Sequence, residues 1–541
     1  MNKLTLVAFS LVIGIAATAQ TLQDAIKKTD NERYDLARTD FKNLVKANPT
    51  SVENTFFLGN FYLTIGEKDS AIAEWKRAGS LNLEDKLAQI SAAKAIYFAG
   101  DSAAANKLFC GIIKATKSKN AMVFHRIAEV YYTAPLQNLH AAEAMLRKSV
   151  ALNSSNIDAV ILLGDVLLAQ SGSNATTATE QYNKALAINP NAANVIVRKA
   201  KIYQGVGNYN LANQEYQKAQ AADPTYAPAY RLNAELNILF DRYNPAIELW
   251  KKYIALNDSQ EARYRYATSI FGAKKYCDAL PELESLKAGG FENLFTKRMY
   301  CYSLYECNDD NNQEKYKNAL ATSDAFFQIV PAEKIIALDY KYRGMILTKL
   351  GQDSLAILAY SQAAAKDTAN AFEYNGMIAK LYFKAKNNEK SIEYYNMKEQ
   401  QAPEKMDVND FFELGRAYYF AKTPNYIFAD SCFAKVNRLA PSFIGAYLWR
   451  ARANNKLEDP KLKAWKAKEY YEGYLTHLTE KDLANPSQKT NIIEASKYLG
   501  DYYVNSAEKN KEKANENWNR VKALEPNDAQ AKAYFASGLG K

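Results

Sequence analysis

The alternation of small, aromatic and polar positions along this chain keeps one period. Ala178, Ala212 and Ala246 lie 34 residues apart, as do Tyr182, Tyr216 and Trp250, then Ala185, Ala219 and Tyr253, and finally Pro190, Pro224 and Asp258. Within a unit the first three columns fall at i, i+4 and i+7, which puts them on one face of a helix. The proline five residues later predicts where that helix stops. Upstream in each unit a second pattern predicts a partner helix: Leu58, Gly59 and Tyr62; Leu163, Gly164 and Leu167; Leu414, Gly415 and Tyr418. A small residue between large ones lets the two helices of a pair approach closely, and the larger residue three places on fills the space between pairs.

A small-large pattern over a helical pair with this period resembles the tetratricopeptide repeat. Further copies run through Ala37, Phe41 and Pro49; Ala71, Trp75 and Ala78; Ala356, Tyr360 and Ala363; Tyr395 and Pro403; Ala429, Phe433 and Pro441; and Ala514, Trp518, Val521 and Pro526. The resemblance implies an all-α, right-handed superhelical solenoid of stacked helical hairpins with roughly 13–14 repeats, some of them degenerate. Residues 85–118 lack the terminal proline. The stretch 281–331 departs further, with Gly289, Gly290 and an Asn/Asp cluster at 308–312, and is expected to form a junction between an N-terminal array (20–280) and a C-terminal array (332–541). Asn485, Pro486 and Ser487 interrupt the pattern between Leu478 and Thr490, where a longer loop is expected. Asp528–Leu539 reads as a cap helix, which a solenoid needs because each repeat buries its apolar face only against neighbours.

Residues 1–19 read as a secretory leader. Lys3 gives a sparse basic start, Leu4 to Ala16 an apolar run shorter than a membrane span, and Ala17, Thr18 and Ala19 an A-x-A cleavage site. No Cys follows the run, so a lipoprotein anchor is not indicated. The expectation is an exported, periplasmic or secreted product with no transmembrane segment in the mature chain. Leaders ending in Ala-Gln ahead of such arrays look like those of Bacteroidota envelope proteins, where similar proteins accompany secretion and gliding machinery.

Composition agrees with a packed helical chain: 48% hydrophobic, 22 Gly and 14 Pro, against 38 Tyr. Many tyrosines, including Tyr62, Tyr182, Tyr216 and Tyr360, sit in repeat columns and are expected to pack between helices. The formal charge of +10 falls to +9 without Lys3 and contains no block of five or six like charges, so nucleic-acid binding is not implied. The 3 histidines, His125, His140 and His477, are scattered over distant repeats, and the common zinc-protease, serine-hydrolase and P-loop motifs do not occur. Asp309, Asp310, Asn311 and Asn312 lack calcium-loop spacing and read as a polar turn. No enzymatic activity, metal or cofactor is expected.

Five cysteines, Cys110, Cys277, Cys301, Cys307 and Cys432, form no metal motif. Repeat register brings the start of the helix holding Cys277 towards the end of the one holding Cys307, which makes these two the candidate disulfide, with Cys301 turned into the core.

The family resemblance also implies an inner face lined by first-helix positions. Counting the small residue as position 8, positions 5 and 9 hold Phe56, Asn60, His125, Glu129, Ile161 and Asp165 in early repeats. Later repeats hold Arg231, Arg265, Lys341, Lys380, Arg416 and Arg452, with Glu235 the exception. The later positions are therefore the candidate binding residues, suited to an acidic segment of a partner protein. No repeat carries the Lys and Asn pair of the family's clamp for chaperone tails. A non-enzymatic protein-binding scaffold in the cell envelope, in assembly, secretion or motility machinery, is the reading that results. A helical glycan or solute binder of nutrient uptake is the alternative, and oligomeric state is not legible.

Overall fold

The computed structural model describes residues 21–308, 312–459 and 462–540. The proposed leader and Asp309, Asp310 and Asn311 lie outside them. Among the described residues there are 30 α-helices and no strand, and consecutive helices pair into hairpins that stack on the next hairpin. The fold is an all-α solenoid of tetratricopeptide type. Two compact units divide it at Glu292/Asn293, a point inside the expected junction stretch.

In the N-terminal unit the hairpin Ile157–Gln170 and Ala175–Ile188 illustrates how the repeat is built. Asn156 caps the first helix by accepting from the Ala159 N–H, satisfying an orphan donor of the first turn. Gly164 lies against the Tyr182 ring so closely that a Cβ there would stand 2.5 Å from Tyr182 Cε1. Tyr182 is fully buried, and its hydroxyl donates to Asp165 Oδ1 at 2.7 Å, so the polar tip of a core aromatic is satisfied from the neighbouring first helix. The same contact recurs between Gly59 and Trp75, which explains why a glycine and an aromatic are paired in sequence. Residues 85–118 form an ordinary hairpin, Lys86–Phe98 and Ser102–Ala115, without a stop proline. Lys117 and Ser118 end it instead, both in the left-handed backbone region, with φ of 51° and 56°. The helix Tyr276–Ala288 continues through Pro281, so the pattern change at 281 is not itself a helix end.

The N-terminal unit also closes on itself. Glu32, held at φ 60° between its first two helices, places its carboxylate on Arg231 at 2.7 and 3.0 Å and accepts from the Tyr253 hydroxyl at 2.8 Å. Asn257 donates to the Glu32 carbonyl at 2.9 Å, and Lys27 lies 3.5 Å from Asp223. Beside this latch is a cleft of about 830 Å³ lined by Tyr34, Trp250, Asn257 and Arg265, among others.

In the C-terminal unit Arg298, Tyr302 and Asp339 tie the first hairpin to the second, with Arg298 Nε donating to Asp339 at 2.9 Å and the Tyr302 ring stacked on Tyr342 at 4.0 Å. The interruption at 478–490 is a loop carrying the short helix Glu480–Ala484 and a single 3₁₀ turn, Pro486–Gln488. The helix Ala529–Ala536 packs on Lys511–Leu524 as the last element described, with Trp518 stacked on Tyr534. Tyr62, Tyr182, Tyr216 and Tyr360 are all buried. Cys110 is exposed and Cys301 and Cys432 are buried, all three as free thiols; burial pushes the Cys301 and Cys432 thiols up to about 12. No described helix is long and apolar enough to cross a membrane.

Candidate functional site

Several of the first-helix positions expected to face inward are linked to first-helix residues of the next repeat. Where position-9 residues of successive repeats bond one another they form a ladder; Lys380 and Arg452 instead reach carboxylates near the start of the next first helix, Asp410 and Glu494. In the N-terminal unit the ladder starts with Asn60, Lys94 and Glu129. The fully buried Lys94 ammonium donates to Asn60 Oδ1 at 2.8 Å and Glu129 Oε1 at 2.9 Å, and it lies 4.4 Å from the Trp75 ring centre and 5.1 Å from that of Phe56. Asn60 also accepts from the Trp75 indole N–H at 3.1 Å and donates to Glu129 at 2.8 Å, while Arg126 donates to the other Glu129 oxygen at 2.7 Å. Burial pulls the Lys94 ammonium's pKa down against Glu129. Burial also acts to raise Glu129, but Lys94 and Arg126 outweigh it and hold the carboxyl far below its ordinary range. His125, buried beside Arg126, falls to about 4 because burial and that neighbouring charge both disfavour the imidazolium.

Farther along the same unit Asp165 accepts from Arg198 Nε at 2.8 Å and from Tyr182. Arg231 is saturated, by Glu32 on one side and by Glu235 at 2.9 Å on the other. Arg265 is half exposed and donates to Glu261, one turn back on its own helix, at 2.8 Å.

Four candidate residues lie in the C-terminal unit. Lys341 donates to Glu373 at 2.5 Å. Lys380 stands 3.7 Å from the buried carboxylate of Asp410, which Lys398 also reaches at 2.6 Å. Arg452 forks onto Glu494 at 2.6 and 3.0 Å and donates to Asn491 at 2.8 Å, with its guanidinium 4.8 Å from the Trp449 ring centre. The Arg416 guanidinium lies among aromatic rings: Phe383, Trp449 and Phe412 at 5.2, 5.4 and 5.9 Å from ring centre to guanidinium carbon. Its Nε is closed off from solvent without an acceptor, and burial lowers its pKa.

The candidate cations are thus not one uniform basic wall. Within each unit the structure gives most of them an internal carboxylate. Glu32, Glu373 and Glu494, which neutralise Arg231, Lys341 and Arg452, were not singled out from sequence, nor was Lys94. For Lys341 and Lys94 a signal was present, because their partners Glu373 and Glu129 lie 32 and 35 residues downstream, close to one period. Glu32 lies 199 residues from Arg231 and carried no such signal. Among the described residues no group of three or more His, Cys, Asp or Glu is placed to hold a metal ion.

Two family models match the chain, both described as tetratricopeptide repeat, over residues 28–79 and 193–226. Of solved structures, the C-terminal part of a TPR repeat-containing protein from Cytophaga hutchinsonii is similar at 34% identity, covering 50% of this chain and 98% of that one, with a TM-score of 0.40. A tetratricopeptide repeat protein from Parabacteroides merdae is 17% identical over 46% of this chain and 93% of its own, with a TM-score of 0.29. A protective antigen of uropathogenic Escherichia coli with an SLR fold is 17% identical over 81% and 95%, with a TM-score of 0.43. No curated protein matches.

Proposed function

Because the chain belongs to the tetratricopeptide-repeat family, we propose that it is a non-enzymatic protein-binding scaffold of the bacterial cell envelope, serving assembly, secretion or motility machinery. The observation that carries this reading is the repetition itself. Each hairpin presents the same inner first-helix positions as the one before, and a row of equivalent positions suits an extended polypeptide more than a compact substrate. The residues proposed to meet the partner are Arg231, Arg265, Lys341, Lys380, Arg416 and Arg452, and the proposed partner feature is an acidic segment.

Export belongs to the same proposal and rests on the leader pattern, with cleavage after Ala19. Mass spectrometry of the mature N-terminus in an envelope fraction tests it: a chain beginning at Gln20 supports export, and one retaining Met1 rejects it. The Cys277–Cys307 bridge is proposed on repeat register; three reactive thiols in unreduced, denatured protein agree with it, and five exclude it. The scaffold reading is tested by reversible cross-linking in the native envelope followed by purification and quantitative identification of the bound chains. A stoichiometric protein partner supports it. Glycan-array binding with no such partner would replace it by glycan recognition, and substrate turnover by an enzyme.

A further inference from the structure

Arg416 follows Gly415 on the helix Val408–Phe420, and a Cβ on Gly415 would stand 2.7 Å from the Phe433 ring. This close contact fixes the first helix against its partner and so fixes where the next side chain points. Three consecutive first helices then surround the guanidinium: Phe383 comes from Ala371–Lys384, Phe412 from the same helix as Arg416, and Trp449 from Ile444–Lys456. Aromatic faces attract a cation and hold its plane, but they accept no conventional hydrogen bond from it. Nε is already sealed without an acceptor.

The charges around it explain the vacancy. In the early repeats the position-9 cation, Lys94, is met by Glu129 at position 9 of the next repeat. At the corresponding place beyond Arg416 stands another cation, Arg452, which takes Glu494 for itself. Two guanidiniums therefore lie against Trp449, and Glu494 bonds the one of Arg452. Glu413 favours the charged form of Arg416 from one turn back, but one of its oxygens is held by the Tyr395 hydroxyl. Lys380 adds no acceptor and lies near Asp410. A half-buried guanidinium without a carboxylate is costly, and an arriving carboxylate that bonds its planar donor edge offsets that cost.

We propose that Arg416, framed by Phe383, Phe412 and Trp449, recognises one side-chain carboxylate of an extended acidic segment of a partner protein, and that an apolar side chain next to that carboxylate packs on Phe420 and Trp449. This rests on the scaffold reading above and names its anchor. The apolar neighbour is called for because Phe420, 49% exposed, lies 5.3 Å from Trp449 at the edge of the same cluster. Inorganic phosphate could use the guanidinium fork but not these rings.

The chain has 5 tryptophans, so 5-fluorotryptophan labelling and ¹⁹F NMR resolve the site, with Trp449 assigned through Trp449→Phe. The probes are acetyl-Leu-Glu-Phe-Glu-Leu-amide, the same peptide with both Glu replaced by Gln, and inorganic phosphate. At low salt the Glu peptide is expected to shift the Trp449 resonance and to bind about tenfold more tightly than the Gln peptide. Arg416→Gln and Arg416→Met are expected to abolish that preference while melting no lower than the parent protein, since they remove an unpaired charge; a purely structural arginine would lower the melting temperature instead. Arg416→Lys keeps charge and stem but loses the fork, and a drop of about threefold in the preference is expected for it. Retention of the full preference in Arg416→Gln overturns the proposal. If that preference is lost instead in the double variant Lys341→Gln with Lys380→Gln, acidic-segment binding stands and only its anchor is wrong. Equal binding of the Glu and Gln peptides, or a Trp449 response to phosphate alone, overturns both the anchor and acidic-segment recognition, leaving native cross-linking to judge the scaffold.

Discussion

Lys94 and Arg416 occupy the same register position, one residue past the small residue of a first helix, in the N-terminal and C-terminal units respectively. Both lie among aromatic rings, Lys94 with Trp75 and Phe56, Arg416 with Phe383, Phe412 and Trp449. Only Lys94 has a carboxylate, Glu129, at hydrogen-bonding distance. The difference follows from what the next repeat supplies at its own equivalent position, Glu129 in one case and Arg452 in the other. A cation in a repeat protein is therefore structural or available according to its neighbour one period away, and the residue type alone does not distinguish the two.

The largest expected effect tests the closed ladder. Lys94→Met should destabilise the N-terminal unit by about 3–5 kcal/mol, because Glu129 and Asn60 lose their buried donor while the site stays closed to water. Urea unfolding measures it, and the contrast with Arg416→Met, expected to cost nothing, is the sharpest form of the comparison. Equal losses for the two would end it.

The same ladder makes the N-terminal unit sensitive to acid through His125. Its folded pKa of about 4 lies below the ordinary imidazole value near 6.5, so the unfolded chain binds the extra proton first. The stability it contributes is complete above pH 6.5 and is lost as pH falls towards 4, on the order of 3 kcal/mol in all. His125→Leu should flatten the unfolding free energy of this unit across that window. An unchanged slope would show that His125 carries no such burden.

Steric closeness gives an intermediate effect. Gly164→Leu should cost about 1–3 kcal/mol, since even a Cβ meets Tyr182 at 2.5 Å. Ala212→Leu, at a fully buried position of the next hairpin, should cost a similar amount. In a nearest-neighbour solenoid the loss of hydrogen-exchange protection stays with adjoining repeats, so residues 500–540 should keep theirs. The smallest effect is expected at Arg265→Gln, where a half-exposed ion pair within one helix turn is worth about 0.5 kcal/mol or less.

The periodic columns were enough to read the fold. Ala178, Tyr182, Ala185 and their copies mark second helices, Gly59, Gly164 and Gly415 mark first helices, and each glycine meets an aromatic from the partner helix. These contacts are local or one hairpin away, so spacing encodes them directly. That Arg231, Lys341, Arg416 and Arg452 lie on first helices was legible for the same reason. Their electrostatic state was not. Arg231 is satisfied by Glu32 from the first hairpin of its unit, a contact that depends on how the hairpins between them accumulate their small rotations, and no periodicity in the sequence records that sum. Arg416 is left open because its ring neighbours come from its own helix and from the first helices before and after it, and because Glu494 is bonded by Arg452. Sequence by itself determined the repeat, the helical pairs and which residues line up along them, since each rests on short-range spacing. Which of those charges are cancelled and which one remains was decided only by tertiary structure, because ion pairing depends on distances of a few ångströms between residues that the period aligns but does not bring into contact.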